Sequence, residues 1–220
     1  MRARIEENLR RVQQRIADAA ARAGRPPNAV RLLAVTKSVG VEEARALCDL
    51  GVTHLGENRV EDARAKVEIT GPTICWHMIG SVQRRKAKEV VALFHRVDSV
   101  DRLELAEALD RWCEELGKRL LPILIEVNVS GEATKHGFEP ADLESAVQYI
   151  ARLPHLKLEG LMTMAPLVDD PVAVRPVFAR LRQAAERLGL AELSMGMTND
   201  FEVAIEEGAT EVRIGTALFV

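Results

Sequence analysis

The 220 residues carry 30 basic and 33 acidic side chains, a formal net charge of −3, with 47% hydrophobic and 29% charged residues. That balance belongs to a folded globular chain and excludes a disordered one. No run approaches the roughly 18 consecutive apolar residues of a membrane span, and the charge is wrong for an electrostatic nucleic-acid binder.

Ile5, Leu9, Val12, Ile16 and Ala20 recur at three- and four-residue spacing, which predicts an amphipathic helix ended by Gly24 and Pro26. Eight short β-rich runs follow, at 31–37, 52–56, 74–80, 94–97, 121–129, 156–162, 193–197 and 210–219. Helical patterns lie between them at 41–50, 58–69, 83–93, 101–118, 140–152, 171–188 and 199–207. Asp101 and Pro140 read as helix starts, and Gly51, Gly117, Gly189 and Gly208 as stops. Strands alternating with helices predict parallel βα units. With the leading helix supplying an eighth helix, the count matches a (β/α)8 TIM barrel, although an open doubly wound sheet would alternate as well. No linker, composition change or short repeat splits the chain, so 1–220 reads as a single domain.

Cys48, Cys75 and Cys113 are odd in number and form no CxxC, which argues against a disulfide framework or a zinc site. Cys75, in an apolar run, reads as a buried structural thiol. The first twenty residues lack an apolar stretch of signal-peptide length, and Glu6, Glu7 and Asp18 argue against a transit peptide. A cytoplasmic location is the expectation.

Polar residues gather at the C-terminal ends of the strands: Lys37 at the first, Glu57 and Asn58 at the second, His77 and Ser81 at the third. Asn128 and Ser130 close the fifth, Met162 and Thr163 the sixth, residues 194–199 the seventh and 213–216 the eighth. In a barrel these ends open onto one face, where such folds place their sites. Alternation puts Lys37 on the face of Leu33 and Val35. Inside a barrel its ammonium must be paired, neutral or covalently used, and a neutral amine forms a Schiff base with an aldehyde. The other reading is a lysine that reaches solvent at a strand end. Arg213 shares a face with Glu211 and Gly215; buried, it needs an anion or an acceptor, and Glu126 on the fifth strand is one candidate partner.

SMGMTND (194–200), leading into a helix, and Gly215 with Thr216 form two turns after the seventh and eighth strands, where barrels hold phosphate. His77 either lines the site or is a hydrogen-bonded core histidine. His54, His95, His136 and His155 lack metal-ligand spacing and read as structural or surface residues. Arg84, Arg85, Lys86 and Lys88 read as a solvated helix start, with a patch for an anionic partner as the alternative.

The motifs LLAVTK (32–37), HLGEN (54–58), WHMIGSVQ (76–83), VNVSGEATKHG (127–137), GLMTMAP (160–166), LSMGMTNDFEVAI (193–205) and VRIGTALF (212–219), in this order, resemble the pyridoxal-phosphate homeostasis proteins, single-domain relatives of the alanine racemase N-terminal barrel. The resemblance implies pyridoxal 5′-phosphate (PLP) held as a Schiff base on Lys37. It places the phosphate at Ser194, Met195, Gly196, Thr198, Gly215 and Thr216, with Arg213 against the cofactor and Asn58, His77, Asn128 and Met162 lining the pocket. It implies a factor in intracellular PLP homeostasis, delivery to apo PLP-dependent enzymes, and amino-acid and keto-acid balance; a monomer is the expectation, independent of the resemblance. The sequence departs from the family at Arg85, commonly Asn, at Arg59, commonly aromatic, and at Val220, commonly Gly.

The alternative is a PLP-dependent amino-acid racemase or related enzyme. A racemase needs a second proton-transfer group, which alanine racemases take as a tyrosine from a C-terminal β domain. The chain ends with the eighth strand, so that domain is expected to be absent, and the only tyrosine, Tyr149, falls in a helix away from the mouth. A class I aldolase using Lys37 on a phosphorylated sugar is a third class.

Overall fold

The computed structural model describes residues 1–118, 120–132 and 136–220; Ala133, Thr134 and Lys135 of the 127–137 motif lie outside the described residues. The chain opens with α1 (Arg2–Arg22), which buries Ile5, Leu9, Val12, Ile16, Ala19 and Ala20. Strands β1 (Arg31–Val35), β2 (His54–Glu57), β3 (Cys75–Met78), β4 (Arg96–Val100), β5 (Leu121–Glu126), β6 (Leu156–Met162), β7 (Glu192–Ser194) and β8 (Glu211–Ile214) close into one barrel in chain order. Every pairing is parallel, including β1 with β8. Helices α2 (Val41–Asp49), α3 (Val60–Thr70), α4 (Ala87–Leu93), α5 (Leu103–Glu115), α6 (Leu143–Ile150), α7 (Arg175–Leu188), α8 (Phe201–Glu206) and α9 (Thr216–Phe219) follow the strands in turn.

The barrel and the leading helix are as the alternation predicts, with two local corrections. The eighth run does not stay extended to Phe219: β8 stops at Ile214, and Thr216–Phe219 turns into α9. Asn8 explains the stability of so short a helix. Its Nδ2 donates to the carbonyls of Leu218 and Val220, which a four-residue helix leaves without internal partners. Cys75, expected to be buried, is only partly covered at the start of β3.

Strand alternation divides the residues into two walls. Ala34, Leu55, Trp76, Val97, Ile123, Leu161, Leu193, Val212 and Ile214 are buried in the apolar layer shared with the helices. The opposite parity faces the barrel axis, and there the usual aliphatic layers are largely replaced by charge. Arg96 donates to Asp98 at 2.6 Å, to Glu159 at 2.8 Å and to Glu192 at 2.5 Å. Arg31 donates to Glu211 and to Glu192, each at 2.8 Å. These pairs tie β1, β4, β6, β7 and β8 together across the interior.

Candidate functional site

A cleft of about 730 Å³ opens at the C-terminal ends of the strands, within the roughly 300–1,000 Å³ of small-molecule sites. Lys37, Asn58, Thr198, Arg213, Gly215 and Thr216 line it, together with Val35, Ile79, Gly80 and Glu126. Lys37 lies two residues beyond β1 in a turn and is exposed, so strand alternation does not carry it into the interior. Its place is fixed instead by Thr36. The Thr36 N–H donates to the Gly56 carbonyl at 3.0 Å, and its hydroxyl donates to Glu57 Oε1 at 2.6 Å. Its carbonyl accepts from the buried Lys66 Nζ at 2.7 Å, and Lys66 also pairs with Glu57 Oε1 at 2.6 Å. The Lys66–Glu57 pair escaped the sequence reading because Lys66 sits in a polar helical run that reads as solvated.

Arg213 is buried, and its guanidinium donates to Ser194 Oγ and to the Thr163 carbonyl, each at 2.8 Å. These acceptors, not a contact ion pair with Glu126, hold it. Burial works against its charge and lowers its pKa, while Glu211, Asp98, Glu126 and Asp200 oppose that at longer range. Glu126 stands in the cleft wall on its own account. Burial, reinforced by Asp101 and opposed by Arg213 and His136, pushes its carboxyl up to about 7.

The 194–200 turn lies on α8. Gly196 has φ +95°, and a Cβ there would stand 2.6 Å from Ala204 Cβ and 2.9 Å from Phe201 Cα, so only glycine lets the turn approach the helix this closely. Asp200 Oδ1 accepts from the Met197 N–H at 2.6 Å, and the Phe201 N–H donates to the Met197 carbonyl at 2.9 Å. The resulting arch presents Met197, Thr198, Asn199 and Asp200 to the cleft, beside Gly215 and Thr216. An amine, a guanidinium and two backbone turns thus meet in one concavity. That set suits an anionic small molecule with an electrophilic carbonyl.

The other expected site residues do not line the cleft. His77 is fully buried in the barrel interior, with Nδ1 2.7 Å from Asp98 Oδ2 and Nε2 3.0 Å from His54 Nδ1. Burial opposes its charge, but Asp98 and Glu211 outweigh that and raise its pKa to about 10. Asn128 organises the turn after β5, donating to the Glu132 carbonyl and to Glu139 and accepting from Ser130 and the Gly131 N–H. Met162 and Met195 are buried packing residues. Ser194 donates to Glu211 Oε1 at 2.8 Å and acts through Arg213, while Gly196 shapes the arch. Ser81, expected at the end of the third strand, lines the cleft, and so do His136, read as structural or surface, and Ser38, Met164 and Leu167. These lie in loops, where neither strand nor helix periodicity signals which side chains face inward.

The family model described as alanine racemase, N-terminal domain, matches residues 2–220. A pyridoxal phosphate homeostasis protein of Aquifex aeolicus is 42% identical over 220 residues, covering 97% of this chain and 96% of the relative. Another from Pseudomonas aeruginosa is 42% identical over 218 residues, covering 98% and 94%. Among solved structures, PipY of Synechococcus elongatus PCC7942 with PLP bound superposes with a TM-score of 0.83 at 36% identity, covering 98% of this chain and 100% of that one. Alanine racemase of Clostridium difficile shares the fold, with a TM-score of 0.71 at 18% identity over 86% of this chain and 52% of that one. Full-length identity of this order, on the same closed barrel, makes this chain a member of the pyridoxal phosphate homeostasis protein family.

Proposed function

We propose that the chain binds PLP in the cleft through a covalent link to Lys37 and acts in PLP homeostasis. The observation that carries this is the convergence of the Lys37 amine with Arg213 and the two turns at 197–200 and 215–216 on a single cleft. PLP supplies an aldehyde that condenses with a primary amine and a phosphate that a basic, N–H-rich cradle accepts. In this reading the arch and the Gly215–Thr216 turn receive the phosphate. Arg213, held by Ser194 and Thr163, would supply fixed positive charge close by, and Asn58, in the cleft wall, would help hold the cofactor. His77, Asn128, Met162, Ser194, Met195 and Gly196 support that pocket from outside it. The relatives' names and the PLP in PipY support the assignment.

The cellular role that fits is a cytoplasmic, monomeric carrier that delivers PLP to apo PLP-dependent enzymes and so bears on amino-acid and keto-acid balance. Among the described residues no helix is long and apolar enough to cross a membrane. Tyr149, the sole tyrosine, lies exposed on α6 with its hydroxyl donated to Glu107, outside the cleft, which favours binding over racemase chemistry. The experiment is borohydride reduction of protein incubated with PLP, followed by peptide mass mapping. The expected result is a pyridoxyl adduct on the peptide containing Lys37, lost in Lys37→Ala together with the visible absorbance of the bound cofactor. An unchanged spectrum in Lys37→Ala rejects the assignment. Rapid racemisation or transamination by the isolated protein rejects the carrier role.

A further inference from the structure

A second cluster lies in the barrel away from the cleft, at the N-terminal ends of β2 and β3. His54 opens β2 and Cys75 opens β3, and the two are register partners. His77 follows two residues along β3, on the same face as Cys75. The ligand atoms of the three side chains, one ring nitrogen from each histidine and the Cys75 sulfur, all lie within 4.8 Å of one another. His54 Nδ1 and His77 Nε2 are 3.0 Å apart.

These separations are close to what a tetrahedral ion needs. Two nitrogens each bound at about 2.0–2.1 Å to zinc sit roughly 3.3 Å apart, and a nitrogen and a thiolate sulfur roughly 3.6 Å apart. Small side-chain rotations therefore bring the three atoms onto one metal. The orientation of His77 is set in advance: Nδ1 faces Asp98 Oδ2 at 2.7 Å, and Asp98 Oδ1 accepts from Arg96 Nε at 2.6 Å. A carboxylate behind one ring nitrogen directs the other toward a metal, the arrangement that commonly supports metal-bound histidines. His54 and Cys75 are partly exposed while His77 is fully buried, so an ion arriving from solvent meets two ligands at the surface and the third behind them.

We propose that His54, Cys75 and His77 form a binding site for a thiophilic divalent transition-metal ion of the Zn²⁺ class, separate from the Lys37 cleft. Two imidazoles and a thiolate select such an ion over Mg²⁺ or Ca²⁺, and three protein ligands leave the fourth position to water. The exchange balances: one divalent ion enters and two protons leave, one from the thiol and one shared between the two rings. The separation of the ligands in sequence hid the site, because only the pairing of β2 with β3 places residue 54 beside residue 75.

The test is titration of metal-free, reduced protein with Co²⁺, whose thiolate complexes absorb in the near ultraviolet and whose tetrahedral complexes absorb strongly in the visible. The expected result is one equivalent bound with both signatures, displaced by Zn²⁺. Cys75→Ser should abolish the thiolate band, and His54→Ala should weaken binding at least about tenfold. Both positions are partly exposed, and His54→Gln serves as a second variant should His54→Ala fold poorly. Cys48→Ser and Lys37→Ala should bind Co²⁺ as the parent does, which separates this site from the PLP assignment. A parent protein without a thiolate band, a band that survives Cys75→Ser, or affinity unchanged in folded His54 variants overturns the proposal.

Discussion

Replacing Glu126 by Gln should stabilise the ligand-free protein at alkaline pH and leave it almost unchanged at acid pH. The carboxyl is buried in the cleft wall, with its pKa raised from 4.5 to about 7, chiefly by burial and next by Asp101. An acid that binds its proton more tightly when folded contributes stability below its unfolded pKa, and that contribution disappears as pH rises through the folded value. The gap between about 7 and the ordinary 4.5 is worth at most about 3 kcal/mol, of which about 2 kcal/mol falls between about pH 5.5 and 8. Gln is nearly isosteric with the neutral acid and does not titrate, so its stability should lack this fall. Urea unfolding of both proteins, free of PLP, at several pH values in that window measures the difference directly. The gain of Glu126→Gln over the parent should grow with pH by about 2 kcal/mol. A difference that is flat, or that shrinks with rising pH, would refute the placement of a strained carboxylate in the cleft.

Lys66→Met should cost about 3–5 kcal/mol, since it strands the buried Glu57, whose Oε2 already lacks a hydrogen-bond partner among the described residues. Lys66→Met with Glu57→Gln should recover part of that loss in the same denaturation assay. Gly80→Ala should lower stability by about 1–3 kcal/mol and weaken PLP binding in an absorbance titration, because its Cβ would stand 2.4 Å from the backbone oxygen of Asn58 at the cleft. Ser194→Ala should cost about 1–3 kcal/mol, as it leaves Glu211 and Arg213 each short of a partner, and it should raise the Kd for inorganic phosphate measured by calorimetry.

How much of this was readable in advance follows from which signals are local. The fourth strand shows the limit of such signals: the sequence places it at 94–97, whereas it runs Arg96–Val100, because Asp98 and Ser99 break the apolar run that Val97 and Val100 continue on the outer wall. The parity that sends Leu33 inward and Ala34 outward is visible in the run itself. The end of the eighth run was not. Ala217, Leu218 and Phe219 suit a strand as well as a helix, and what settles the matter is Asn8, more than two hundred residues away in sequence. For the candidate site, Lys37 and Arg213 were legible as polar residues at strand ends. Whether Lys37 faces inward or reaches solvent stays open in the sequence, and the structure gives the exposed alternative because the strand stops at Val35 and a turn obeys no alternation. Glu126 as a cleft residue, His136 in its loop and Lys66 beneath Thr36 all depend on contacts between separate βα units, which no single segment encodes.

The interior tolerates its many charges because contacts between separate βα units pair them. A cleft that receives an anion benefits from a fixed arginine near its floor, and Arg213 is buried deeply enough to need balancing charge. Glu211 provides it through Ser194. Since a carboxylate only accepts, the Ser194 hydroxyl must donate to Glu211 and turn its lone pairs toward Arg213. Glu211 is then held by Arg31, which also binds Glu192, and Glu192 is held by Arg96, which also binds Asp98 and Glu159. Four carboxylates, Asp98, Glu159, Glu192 and Glu211, thus face three arginines; Lys157 adds a further cation on Glu159 at 2.7 Å, and His77 lies against Asp98. Asp98 at 2.7 Å and Glu211 at 3.8 Å from His77 Nδ1 overcome burial and favour the protonated ring. Charge at the mouth of the barrel is therefore matched layer by layer down to the first residues of the strands. Neutralising any one member leaves its neighbour buried and unpaired, so the cost of altering this interior falls on the position of Arg213 as well as on stability.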